Sequence, residues 1–266
     1  MSAQPPISYD AGLVEAAVLL AEHGLSHAEA ARFRAERDHI YECGDGDLQE
    51  ARFEELHGRF FIQIGLDRPL HGALAEHPDI LRRVGACHAL RAVARRDEGA
   101  DLRDDLAPDA RPGRRLPVLV LRLRPESLLD PERLVPFLRR ELQHVADMLD
   151  PAFGYERELP ADDADPARAN LLRERYRVVW EATVEGRLAA RHGLEPQARA
   201  ARLSAFASTF PALGDDTEQA FARWLREPAP THRAILEFIR AAVPEAPGAG
   251  RSPSIKHGVE RLRKQG

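Results

Sequence analysis

In a chain of 266 residues, one stretch, LRRELQHVADMLDPAFGY from Leu138 to Tyr155, carries residue types whose spacing speaks of chemistry. Two imidazoles at i and i+4 of a helix stack on one face, where both reach a single divalent metal, and a glutamate at i+1 activates the bound water. The frame here reads Arg140-Glu141-Leu142-Gln143-His144. Glu141 stands where the general base belongs and His144 where the second ligand belongs, but Arg140 fills the first ligand position. A guanidinium is always charged, cannot coordinate a cation and repels one. On a helix Arg140, His144 and Asp147 fall at i, i+4 and i+7, so the spacing leaves several outcomes open. A metal site built on His144 is one. Another is an ion pair from Arg140 to Asp147, or to Glu185 of another helix, in the space a metal would fill. The ordinary outcome is a solvated Arg139-Arg140-Glu141 face with Glu141 pairing to His144 at i+3.

The elements that must position these residues are marked in the flanking sequence. LPVLVLRLRP, from Leu116, is a short run of valine and leucine bounded by prolines and predicts a strand; no other segment matches it in quality. Asp130 is a good N-cap with Pro131 at the first helical position, so a helix runs through Leu149 and stops at Asp150-Pro151. After the acidic loop ERELPADDADPAR, Asp165-Pro166 starts a long helix that ends near His192 at Gly193. On it Glu181 and Glu185 share a face at i and i+4. Tyr176 and Trp180, with the same spacing, read as core, and with Tyr155 they flank the candidate site.

This order over residues 116 to 192, a strand, a helix bearing Glu141 and His144, and a later helix bearing glutamates, resembles the zincin, HExxH-type, metallopeptidases. In the gluzincin branch of that family the third metal ligand is a glutamate on a downstream helix. The resemblance therefore implies a zinc ion, Glu141 as catalytic base, His144 and Glu185 as metal ligands, and Asp147 and Glu181 as accessory carboxylates. The family's first histidine is replaced by Arg140, so the implied metallohydrolase is one with an altered site, active or inactive.

Helix signals dominate the rest of the chain. Leu13 to Ala21 is apolar and ends near Gly24; Ser26 with Glu29 forms a capping box for a helix to about Glu42; Phe53, Leu56, Phe60, Phe61 and Ile64 recur at helical spacing. Asp79 caps a helix expected to reach about Arg96, and DEGADLRDDLAPDARPGRR reads as a polar connection. Shorter helices follow at about Glu195 to Phe206, Thr217 to Arg226 and Thr231 to Ala242. The fold expected is mainly α: a single helical domain over residues 10–242 with a small β element beside the Glu141/His144 helix. Residues 1–9 read as an N-terminal extension. Residues 243–266 read as a disordered basic tail, with Arg251, Lys256, Arg261, Arg263 and Lys264 against Glu245 and Glu260. Glu54-Glu55-Leu56-His57 repeats the Glu-x-x-His spacing of Glu141 to His144, a pattern of ferritin-like di-iron bundles. The strand at Pro117 to Arg124, however, stands where a bundle helix would be needed.

Composition narrows the function classes. With 44% hydrophobic and 30% charged residues, the chain is neither wholly disordered nor membrane-spanning. A formal net charge of −5 supplies no global basic field for nucleic acid. Cys43 and Cys87 form no CxxC pair, and the N-terminus carries no basic leader, so the chain reads as cytoplasmic. Neither a Gly-rich phosphate loop nor a Gly-x-Ser-x-Gly elbow is present. Two classes remain: a zincin-like metallohydrolase with a degenerate motif, and a non-catalytic helical protein that binds a protein partner or acts as a scaffold.

Overall fold

The computed structural model describes residues 6–42, 46–104, 116–159, 166–193 and 196–242. In chain order it begins with β1 (Ile7–Tyr9), α1 (Ala11–Ala21), α2 (His27–Tyr41), α3 (Gly46–Gln63), α4 (Arg68–Ala75) and α5 (Pro78–Arg83). It continues through β2 (Ala86–Arg91), β3 (Gly99–Arg103), β4 (Val118–Leu123), α6 (Pro125–Leu128) and α7 (Pro131–Leu149). The last part is α8 (Pro166–His192), α9 (Pro196–Thr209), α10 (Thr217–Leu225) and α11 (His232–Ala241). The fold is mainly α with a small β element. The basic tail at 243–266 and residues 1–5 of the extension lie outside the described residues.

The capping signals act as expected. Ser26 Oγ accepts from the Glu29 N–H at 3.3 Å while Glu29 accepts from the Ser26 N–H at 3.1 Å, a reciprocal capping box. Asp130 accepts from the Arg133 N–H at 3.2 Å and Pro131 opens α7, which ends at Leu149 where Asp150-Pro151 cannot continue it.

The β element is larger than the single expected strand. Four strands form one sheet in the order β1-β2-β4-β3, with β1, β2 and β4 parallel and β3 antiparallel to β4. Ile7–Tyr9, assigned above to the extension, pairs with Cys87 to Ala89. The helix expected from Asp79 to Arg96 is corrected: α5 ends at Arg83 and ACHALR becomes β2. The segment DEGADLRDD, expected as a polar connection, contains β3. Neither ACHALR nor GADLR has the β-branched content that marks a strand locally; pairing with β4 overrides their propensity. Strand β4 buries both faces. Leu119, Leu121 and Leu123 join the main helical core, whereas Val118 and Val120 pack with Ala86 on the other face.

The hydrophobic core gathers in two main clusters. The first joins α1 to α7 with the sheet and includes Leu13, Phe33, Phe60, Leu119 and Leu142. The second joins Phe153 to α8, α9, α10 and α11 through Trp180, Phe206, Phe221 and Ile235. Met148, near the end of α7, packs against both. Close approach in the second cluster depends on Gly186. A Cβ there would overlap the carbonyl oxygen of Leu225 and lie 2.6 Å from its carbonyl carbon, so α8 meets the end of α10 backbone to backbone. No helix among the described residues is long and apolar enough to cross a membrane.

Candidate functional site

Helix α7 is strongly amphipathic, with Leu134, Leu138, Leu142 and Val145 buried. Inside that buried surface stand two polar residues at i and i+4, Gln143 and Asp147. Across from them α8 presents Trp180, Thr183, Arg187 and Arg191. Arg187 grips Asp147 with both guanidinium nitrogens, each 2.6 Å from a different carboxylate oxygen. The Trp180 indole donates to Asp147 at 2.7 Å, and the Gln143 amide donates to it at 3.2 Å. Arg191 in turn donates to Gln143 at 3.0 Å, and Arg187 donates to the Thr183 carbonyl at 3.2 Å. The Asp147 side chain is 5% exposed and that of Arg187 14%, so this is a desolvated, bidentate pair with its remaining valences filled.

The ion pair proposed for Arg140 with Asp147 or Glu185 is thereby corrected. Asp147 belongs to Arg187. The carboxylate nearest Arg140 is its own neighbour Glu141, with 3.7 Å from Nε to Oε1, and the guanidinium lies over the Phe137 ring at 5.6 Å. Arg139, on the exposed side of the helix, makes a two-pronged contact to Glu76, the residue that follows α4, at 2.7 and 2.9 Å.

Glu141 points toward the sheet. Its Oε2 accepts from the Ala100 N–H of β3 at 3.2 Å. The same edge strand has its Leu102 carbonyl capped by Arg157 and its Leu102 N–H by the Asp101 side chain, so its backbone is satisfied by side chains where a further strand would otherwise pair. Burial raises the Glu141 pKa above the usual carboxylate range, while Arg140 and the Ala100 N–H hold it back. Glu181 of α8 also pushes it up, which places that carboxylate within electrostatic reach of Glu141.

His144 packs edge-on against the Trp180 ring, 4.5 Å between centroids. Its Nδ1 is buried with no hydrogen-bond partner. Burial pushes its pKa down to about 4, and Arg140, Arg187 and Arg202 act in the same direction against Asp147. The imidazole is therefore neutral near pH 7. Beyond Trp180, the Tyr176 hydroxyl hydrogen-bonds His232 Nδ1 at 2.7 Å, Phe153 stacks on the same indole and Tyr155 packs tilted against it. Tyr176 and Trp180 are core, as their spacing implied.

The two α8 glutamates are both engaged by Arg202 of α9. Glu181 binds Arg202 directly and also Arg177 at 2.5 Å, whereas Glu185 lies 4.0 Å from Arg202. Glu141 thus lies within electrostatic reach of Arg140 and Glu181, and His144 within reach of Arg140 and Arg202, with Arg202 contacting both α8 glutamates. The residues present do not fit a zinc ion. The first ligand position is a cation, a second cation holds the downstream carboxylates, and Glu141 is spent on a backbone N–H and Arg140. Among the described residues, no three His, Cys, Asp or Glu side chains group in a way that holds a metal. The other Glu-x-x-His histidine, His57, lies between Phe33 and Phe53 in α3, in the first cluster.

The reading from sequence missed Gln143, Arg187, Arg191 and Arg202. A signal existed for three of them: Gln143 interrupts an apolar stripe, and Thr183, Arg187 and Arg191 repeat at i, i+4 and i+8 on one face. For Arg202 there was none. Comparison with known proteins finds no family model, curated protein or solved structure that matches the chain.

Proposed function

We propose that this chain is a zincin-like protein in which arginines occupy the charge role of the metal, so that it binds and does not hydrolyse. What supports the reading is the order β4, α7, α8, with His144 packed against Trp180 of α8, Glu141 turned to β3 within electrostatic reach of Glu181, and glutamates supplied from α8. The observation that carries its non-hydrolytic half is the matching of each seam carboxylate to a guanidinium: Glu141 to Arg140, Asp147 to Arg187, and Glu181 and Glu185 to Arg202. A divalent ion entering this seam would meet fixed cations within a few ångströms and find one imidazole with no free carboxylate. The buried thiol of Cys87, unpaired, is in keeping with a reducing compartment such as the cytoplasm. The ligand this reading proposes is a protein partner.

The test is elemental analysis of the purified chain with and without Arg140→His. The unaltered protein is expected to hold well under one zinc per chain and to leave casein intact with or without added zinc. The double variant Arg140→His/Arg202→Met adds an imidazole, releases Glu185 and leaves Glu181 with Arg177 alone, and is expected to take up zinc where the single variant takes up less. Stoichiometric zinc in the unaltered chain, or chelator-sensitive hydrolysis, overturns the proposal. Absence of any zinc gain in the double variant overturns the zincin-like half of it.

A further inference from the structure

A second site, sharing no residue with the α7/α8 seam, opens where β1 ends and α1 begins. Here α1 and α3 border a cleft of about 750 Å³, a volume in the range of small-molecule sites. Its floor is aromatic, formed by Tyr9, Phe53 and Phe61, with the Tyr9 and Phe61 rings 5.0 Å apart. Its rim is acidic: Glu15 comes from α1, and Glu50 and Glu54, at i and i+4, come from α3. All three glutamates are exposed, no ion pair among the described residues engages them, and no lysine or arginine lines the cleft.

An acidic rim alone is a solvated face. What distinguishes this one is His57, which lines the cleft and is 5% exposed, yet whose Nε2 has no hydrogen-bond partner. A buried nitrogen without a partner is costly unless something meets it. Phe53, stacked at 6.0 Å, and Phe33, at 5.9 Å, flank the ring. Burial keeps this imidazole below its ordinary pKa, leaving it neutral and able to accept.

We infer that the cleft binds an aliphatic amine with two or more ammonium groups. The methylene segments match the apolar floor and the ammonium groups match the glutamates on its two sides. Aromatic faces beneath favour an alkylammonium over a divalent metal ion, because the alkylammonium gives up water more readily and the ring quadrupole attracts a cation at contact. Carboxylates on both helices select for charge at two ends over charge at one, and His57 Nε2 is an acceptor for an N–H set below the rim.

The test is calorimetric titration of the full chain with spermidine at ~0.15 M salt, against the triple variant Glu15→Gln/Glu50→Gln/Glu54→Gln. Binding is expected at one spermidine per chain. Each single glutamine variant is expected to weaken it about fivefold and the triple about a hundredfold, the scale of exposed charge pairs acting together. The three positions are exposed, so the variants keep their fold, checked by an unchanged melting temperature. His57→Gln is expected to weaken spermidine without altering the salt dependence of binding. Failure of the unaltered chain to bind spermidine, an unchanged affinity in the triple variant, or displacement of spermidine by equimolar magnesium overturns the proposal. The zinc experiments above do not touch these residues, so the two readings stand or fall separately.

Discussion

Replacing Asp147 by alanine leaves a defined set of groups stranded in the α7/α8 seam. Arg187, whose side chain is 14% exposed, loses both of its 2.6 Å contacts. The Trp180 indole N–H loses its 2.7 Å acceptor, and the Gln143 amide loses its own at 3.2 Å. Removing one partner of a buried pair costs ~3–5 kcal/mol because the other charge stays desolvated. In a chain of this size each kilocalorie per mole shifts the melting temperature by roughly 2–4 °C. Asp147→Ala is therefore expected to melt ~10 °C lower, with Arg187→Ala milder, since the carboxylate it leaves still receives Trp180 and Gln143. The paired variant Asp147→Leu/Arg187→Met removes both charges and is expected to recover most of the loss. Glu185→Gln is the control: its contact to Arg202 is long, 4.0 Å, and its loss is expected to stay under ~1 kcal/mol. Differential scanning calorimetry of the four variants decides. An Asp147→Ala melting temperature within ~3 °C of the parent, the range of an exposed pair, refutes the reasoning, as does a double variant no more stable than Asp147→Ala.

Stability is expected to fall with acid through His144. Its folded pKa of about 4 lies below the ordinary value of 6.5, so only the unfolded chain takes up a proton between those limits, and up to ~3 kcal/mol is lost as pH drops from 6.5 toward 4. His57, His77 and His232, also held low by burial, act in the same direction. Glu141, held high, acts in the opposite sense, its share fading as pH rises above 4.5. Urea midpoints at pH 7.5 and 5.0 measure the slope, and His144→Gln should flatten it; an unchanged slope contradicts the burial of the imidazole. Gly186→Ala is expected to destabilise by ~2 kcal/mol or more despite alanine's better helix propensity, because backbone must move where α8 meets Leu225. A more stable Gly186→Ala protein in the same calorimetry would mean that the two helices do not touch there.

Local chemistry in the sequence was enough for the elements with strong punctuation. Ser26 and Glu29, Asp130 and Pro131, and the Asp150-Pro151 stop act within one helical turn, so their outcome does not depend on the rest of the fold. The apolar run at Val118–Leu123 was equally legible, since both faces of β4 are buried. The strands ACHALR and GADLR were not, because their conformation comes from hydrogen bonds to β4 and, for β2, to β1, partners distant in the chain. The same division holds at the seam. Spacing placed Arg140, Glu141, His144 and Asp147 on one helix and Glu181 with Glu185 on another, and these intervals are fixed by the 3.6-residue turn. Which arginine meets which carboxylate was decided by the packing of three helices. Arg187 is 40 residues from Asp147 in sequence and Arg202 is 21 from Glu181. A long, flexible cationic side chain advertises its charge but not its partner; only the burial of Trp180 and Asp147 between α7 and α8 selects Arg187 for the aspartate and leaves Arg140 beside Glu141.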